Sequence, residues 1–261
     1  MTEWQPATHI SEPPNKPDYT SLEFPEPPED RPYVVVNMVM SADGKAVIEG
    51  NEQGLGSKTD QRLMRELRVN ADVVLNGAST LRVSGTSSRL GDETLEQLRI
   101  DRGKPRFPLA AVWARSGDLP LDKIFFTARD FDAAVYLSAG ASDATRERIE
   151  ATGRPVYTLA PGADLLGMLG HMRQALGARV LLCEGGPTTT AQFFAAHVVD
   201  EYFTTIGPEI VAGRDTLTPV EGPVTFNRDG VRHLELVSLT HNQETSELYL
   251  RYRVRRHDQS P

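Results

Sequence analysis

The stretch Leu182-Cys183-Glu184-Gly185-Gly186-Pro187-Thr188-Thr189 joins an apolar run, Arg179 to Leu182, to an apolar-periodic segment, Ala191 to Val199. The first reads as a buried strand and the second as a helix. A strand that breaks at Gly-Gly-Pro and re-enters as a helix leaves backbone N–H groups free at the helix start. Together with the positive end of the helix dipole, those donors favour a phosphate. Gly185 and Gly186 let a ligand approach the backbone closely, Pro187 suits the first helical position, and Thr188 and Thr189 offer hydroxyls. A purely structural turn has the same composition, so the stretch by itself leaves both readings open.

Outward from this turn, the pattern alternates between short apolar runs and helical periodicity. Tyr33 to Met40 reads as a strand, and Ser57 to Asn70 as a helix that starts at Ser57 with Asp60 three residues on. Strands are expected at Asp72–Leu75, Leu109–Trp113, Ala133–Ser138 and Pro155–Leu159, and helices at Thr94–Ile100, Ser142–Thr152 and Asp164–Leu176. After Val198 the style changes. Val199–Ile206, Leu234–Thr240 and Glu247–Val254 read as strands with no helix between them, the last two joined by a polar turn as a hairpin. The expected fold is α/β, a mostly parallel central sheet flanked by helices with an antiparallel C-terminal hairpin.

Residues 1–32 hold eight of the 18 prolines and read as an extended arm with little to pack, lying across the domain or a partner subunit. A single domain is expected over 33–256, followed by a tail at 257–261. The charge of −8, from 28 basic and 36 acidic residues, argues against nucleic-acid binding. One cysteine, Cys183, excludes an intrachain disulfide and a thiolate metal cluster; on a buried strand it reads as a core residue. No apolar run reaches the ~18–20 residues of a membrane helix, and the polar N-terminus lacks a signal peptide's core. The expectation is a soluble cytoplasmic protein without a metal. His171 reads as a boundary residue, and His197, His233, His241 and His257 have no metal-ligand spacing. Trp113 reads as core, Trp4 as part of the arm, and Arg251 to Arg256 as the exposed face of an edge strand and its tail.

Two further segments stand at strand ends. Asn37-Met38-Val39-Met40-Ser41-Ala42-Asp43-Gly44-Lys45 turns at Asp43-Gly44, and Asn76-Gly77-Ala78-Ser79-Thr80 follows a buried strand. Open α/β sheets bind ligands at such ends, although turn residues are expected there on structural grounds alone. In order along the chain, these two segments and Glu184-Gly185-Gly186-Pro187-Thr188 resemble the reductase domain of the riboflavin-biosynthesis deaminase-reductase family, which is similar in fold to dihydrofolate reductase. Arg115-Ser116-Gly117-Asp118-Leu119-Pro120, and Val199-Asp200-Glu201 leading into Ile206-Gly207-Pro208, match as well, so the resemblance spans Tyr33 to Val254.

The resemblance implies NADPH-dependent reduction by direct hydride transfer, and a homodimer. Glu184, Gly185, Gly186, Pro187, Thr188 and Thr189 would cradle the pyrophosphate, and Gly77, Ala78, Ser79 and Thr80 would lie beside the nicotinamide. Arg115 and Ser116 would meet the adenosine 2′-phosphate. Asn37, Met40, Ser41, Asp43, Lys45 and Arg89 would face the substrate, in the family a ribosylamino-pyrimidine phosphate whose ribose becomes a ribityl chain. No side chain is singled out as the proton donor. Two departures stand out. Val83-Ser84-Gly85-Thr86-Ser87-Ser88-Arg89 occupies the place of the family's Asp-rich turn, with Arg89 keeping the basic role, and the zinc signature of the deaminase half is absent. A dihydrofolate, pterin or other small-molecule reductase, and a nucleotide-binding protein without catalysis, stand as alternatives.

Overall fold

A computed structural model describes residues 15–162, 164–223 and 225–255. Its nine strands form one sheet. In chain order they are β1 (Tyr33–Met40), β2 (Val73–Gly77), β3 (Leu109–Ala114), β4 (Ala133–Leu137), β5 (Val156–Thr158), β6 (Val180–Cys183), β7 (Glu201–Ile206), β8 (Leu234–His241) and β9 (Leu248–Val254). The order across the sheet is β5-β4-β3-β2-β6-β1-β7-β9-β8. Pairing is parallel from β5 to β7 and antiparallel at β7–β9 and β9–β8, so the fold class read from the sequence holds. The chain steps outward from β1 to β5, returns to insert β6 between β2 and β1, and then continues on the other side. That reversal opens a crevice at the carboxyl ends of β2, β6 and β1.

The helices are α1 (Lys58–Asn70), α2 (Ala78–Ser84), α3 (Glu93–Asp101), α4 (Ile124–Thr127), α5 (Asp143–Glu150), α6 (Asp164–Gln174) and α7 (Pro187–Ala195). Leu63 and Leu67 of α1 pack on Val35, Val74 and Leu182 on one face of the sheet. Met168 and Met172 of α6 and Phe193 of α7 cover Val36, Leu75 and Cys183 on the other. Ser57 caps α1 as expected, its Oγ accepting from the N–H groups of Thr59 and Asp60. Arg99 closes the other end of α1: its buried guanidinium donates to the carbonyls of Arg68, Val69 and Ala71.

Two expectations are corrected here. The arm does pack: Tyr19 is buried against Phe203 and Tyr33, with Leu22 and Phe24 beside it, because the aromatic and leucine side chains between the prolines meet a sheet face that α1 alone does not cover. Residues 1–14, with Trp4, lie outside the described residues, as does the tail. Helix α7 starts at Pro187 as expected, with Gly186 as its N-cap. Arg251 is not on an edge: β9 lies between β7 and β8, and Arg251 forms a forked ion pair with buried Glu201 beneath Phe24 and Phe203. The edge is β8.

Candidate active site

A cavity of about 1270 Å³ lies over the carboxyl ends of β1, β2, β3, β4 and β6. Two helix N-termini open into it. Gly77 is the N-cap of α2 and Gly186 that of α7, and neither supplies a side-chain cap, so their first-turn N–H groups face the cavity side without an internal partner. The turn from β6 is stitched to β2 by Glu184 N–H to the Leu75 carbonyl (2.9 Å) and Gly77 N–H to the Gly185 carbonyl (2.7 Å). Glycine is required at two positions. A Cβ on Gly77 would collide with Thr189 Oγ1, and Gly185, at φ +82°, would place one 2.7 Å from Met38 Sδ. The Gly185–Gly186 peptide is cis.

Gly77, Ala78, Ser79, Thr80, Glu184, Gly186, Pro187, Thr188 and Thr189 all line the cavity, as do Arg115 and Ser116. Gly185 stands behind the wall. Arg115 is exposed at the rim and has no ion-pair partner among the described residues. Glu184 is almost fully enclosed and both its oxygens are taken by Arg68, Nε at 2.6 Å and Nη2 at 2.7 Å. Arg68 also donates to the Arg89 carbonyl, so α1 is bolted to the turn through one guanidinium.

The substrate-side set fares differently. Asn37 lines the cavity, but Met40, Ser41, Asp43 and Lys45 do not. Ser41 donates to Asp43 (2.5 Å), whose carboxylate also accepts from the N–H groups of Val211 and Ala212 and is held down at about 2 by these bonds. The Lys45 ammonium points to the Thr216 carbonyl. These residues clasp the exit of β1 to the loop after β7, and their neighbours Ala46, Val47 and Leu217 form the wall instead. Arg89 turns away from the cavity into a forked pair with Asp130 over the Phe131 ring. Position in a turn does not specify which way a side chain leaves it.

Helix α1 supplies what the sequence reading missed. Asp60, Gln61, Met64, Arg65 and Arg68, at helical spacing, share the face toward the cavity. Asp60 accepts a hydrogen bond from Thr205 on β7, and burial, with Glu247 nearby, pushes its carboxyl up to about 6. The polar side of an amphipathic helix normally reads as solvated, which hid this face. Trp113 was expected in the core but lines the cavity, and its buried indole N–H has no partner among the described residues. His171 is elsewhere, bonded to the Tyr136 hydroxyl and stacked on Tyr157, and Cys183 is fully buried. No metal-holding cluster occurs among the described residues, and no described helix is long and apolar enough to cross a membrane.

Other proteins resemble this chain in sequence or in fold. The 2,5-diamino-6-ribosylamino-4(3H)-pyrimidinone 5′-phosphate reductase of Archaeoglobus fulgidus is 28% identical over 211 residues, 79% of this chain and 94% of that one. Its counterpart in Methanothermobacter thermautotrophicus is 28% identical over 202 residues, 74% and 85% of the two chains. The crystal structure of a pyrimidine reductase-like protein from Corynebacterium diphtheriae superposes with a TM-score of 0.76 at 22% identity, over 86% of this chain and 92% of that one. It shares the fold. The model of the RibD C-terminal domain matches residues 32–245, from the first strand through β8 and across every segment of the cavity wall, and the chain belongs to that family.

Proposed function

We propose that this protein is an NADPH-dependent reductase that converts a ribosylamino-pyrimidine 5′-phosphate into its ribitylamino product. The observation that carries the reading is the cavity itself. It joins two uncapped helix N-termini, suited to a pyrophosphate, to a polar face of α1 large enough for a second ligand. The bare Gly77 and the unpartnered Trp113 N–H fit a dinucleotide laid along the ends of β2 and β3. Arg115 and Ser116 at the rim favour NADPH over NADH through the 2′-phosphate. The substrate comes from the relatives' names.

When bound, NADPH supplies a hydride from its nicotinamide. The chain's part is to bind and align. The α2 and α7 N-termini hold the cofactor, Arg68 and Glu184 keep α1 at a set distance from the turn, and Arg65 offers a cation for the substrate phosphate. We assign the protein to the cytoplasm, where its one thiol remains reduced. A homodimer is supported by β8, the edge strand among the described residues, which leaves Leu236, Val237 and Leu239 exposed along that edge. The test is NADPH oxidation with 2,5-diamino-6-ribosylamino-4(3H)-pyrimidinone 5′-phosphate, its deaminated analogue and dihydrofolate in parallel. Turnover of the pyrimidines with appearance of the ribityl chain supports the reading, and turnover of dihydrofolate alone overturns it.

A further inference from the structure

We propose that Asp60 is the catalytic acid of this site, its carboxyl giving a proton to the ribosyl ring oxygen of the substrate as C1′ takes up the hydride. The proposal rests on the reductase reading above and supplies the proton that hydride transfer needs.

Elimination carries most of the weight. Among the described residues no histidine, lysine, tyrosine or cysteine lines the cavity, which leaves four carboxyl groups: Glu52, Asp60, Asp164 and Glu184. Glu184 is neutralised by the forked Arg68. Asp164 accepts from Ser138 at the end of β4, away from α1 in the chain's sheet order. Glu52 is exposed and accepts from Ser84. The segment Val83 to Ser88, in the place of the Asp-rich turn, contains no carboxylate at all. Asp60 alone lines the cavity on the substrate side without a cation beside it.

Its surroundings keep it placed and raise its affinity for a proton. Gly56 packs directly against the carboxyl, where any Cβ would collide with Oδ2. The Thr205 hydroxyl reaches it from β7. The titratable groups that face it are Glu247, from the turn before β9, and Tyr19 from the arm. Glu247 is the member of this pair that stays ionised: it accepts from Ser57 N–H (2.7 Å), Ser57 Oγ (2.6 Å), Thr245 Oγ1 (2.9 Å) and the Tyr249 hydroxyl (2.6 Å). A carboxylate fixed by four donors beside one with a single donor divides the charge unequally, and the proton goes to Asp60. Along α1, Asp60 lies eight residues from Arg68, about 12 Å, which leaves room for a ribosyl group between it and the cofactor turn.

The step balances. Protonation of the ring oxygen breaks its bond to C1′ while the amine lone pair closes a C1′=N double bond. Hydride adds at C1′ and the double-bond pair returns to nitrogen. One hydride and one proton enter, the ring oxygen becomes a hydroxyl, and Asp60 regains a proton from water. The acid form is the active one, so the rate falls as pH rises through about 6.

Asp60→Asn decides the matter. We expect turnover to fall ~100-fold, the limb near pH 6 to vanish, and NADPH binding followed by fluorescence to be unchanged. Thr205→Val, which removes a bond to the ionised form, shifts that limb to higher pH in a protein that keeps the carboxyl. A direct readout is the carboxyl titration of Asp60 by carbon NMR, assigned by its loss in Asp60→Asn. A value near 6 supports the assignment. Wild-type turnover in Asp60→Asn, or titration near the ordinary ~4, overturns it. Absence of pyrimidine turnover in the wild type overturns the substrate reading instead, and the NMR titration still decides whether Asp60 holds a proton to give.

Discussion

Asp60 and Glu247 show how two carboxyl groups in one pocket take different states. Burial alone would raise both, but the bonds from Ser57, Tyr249 and Thr245 bring Glu247 below its ordinary value while Asp60 stays above. The folded protein therefore binds the Asp60 proton more tightly than the unfolded chain does. The stability this gives is complete below about pH 4 and is lost as pH rises to about 6. Asp60→Asn should thus be more stable than wild type at about pH 8, by about 1–2 kcal/mol after allowance for partial solvation, with the gap closing at about pH 4. Urea midpoints at the two pH values check it. Arg68 and Glu184 predict the opposite sign. Glu184→Ala leaves an enclosed guanidinium unpaired and should cost about 3 kcal/mol in the same assay. Trp113 gives an optical test: NADPH should quench its emission, and Trp113→Phe should abolish the quench. None of these residues announces its role in the sequence. Asp60 reads as part of a helix start and Trp113 as core, because which side of an element faces a cavity depends on what packs on the other side.

At the scale of elements, the strands and longer helices were legible from periodicity, and the start of α7 at Pro187 from its glycines and proline. Helix α2 was missed: Ala-Ser-Thr-Leu-Arg-Val-Ser has weak propensity and only Leu81 buried, so it depends on its seat beside β2 and β3. The two N-termini, α2 and α7, meet at Gly77 and Thr189, and this contact is testable. Gly77→Ala must push Thr189 away and should weaken NADPH binding by at least ~10-fold, as measured by titration calorimetry. The clasp of Ser41 and Asp43 onto Val211 and Ala212 belongs to the same scale. It ties the exit of β1 to the loop after β7, a contact that a turn motif does not announce.

For the whole molecule, the sheet ends in β8, whose outer edge pairs with no other strand among the described residues and whose Leu236 and Leu239 are each about half exposed. If two copies join there, Leu239→Lys should shift the light-scattering mass from dimer to monomer while NADPH binding persists. Selective NADPH binding should also stabilise the whole fold by about 2.7 kcal/mol at a hundred-fold excess over its dissociation constant, with little effect of NADH. The amino-acid sequence by itself determined the strand order along the chain, the longer helices, the parallel body with its antiparallel end, and the glycine turn, because these follow from local periodicity and backbone freedom. Tertiary structure alone decided that the arm packs, that Arg89 and Lys45 turn away, and that α1 turns Asp60 inward. Those outcomes depend on burial and charge pairing between residues far apart in the chain, such as Arg68 with Glu184 and Asp60 with Thr205, which no local pattern encodes.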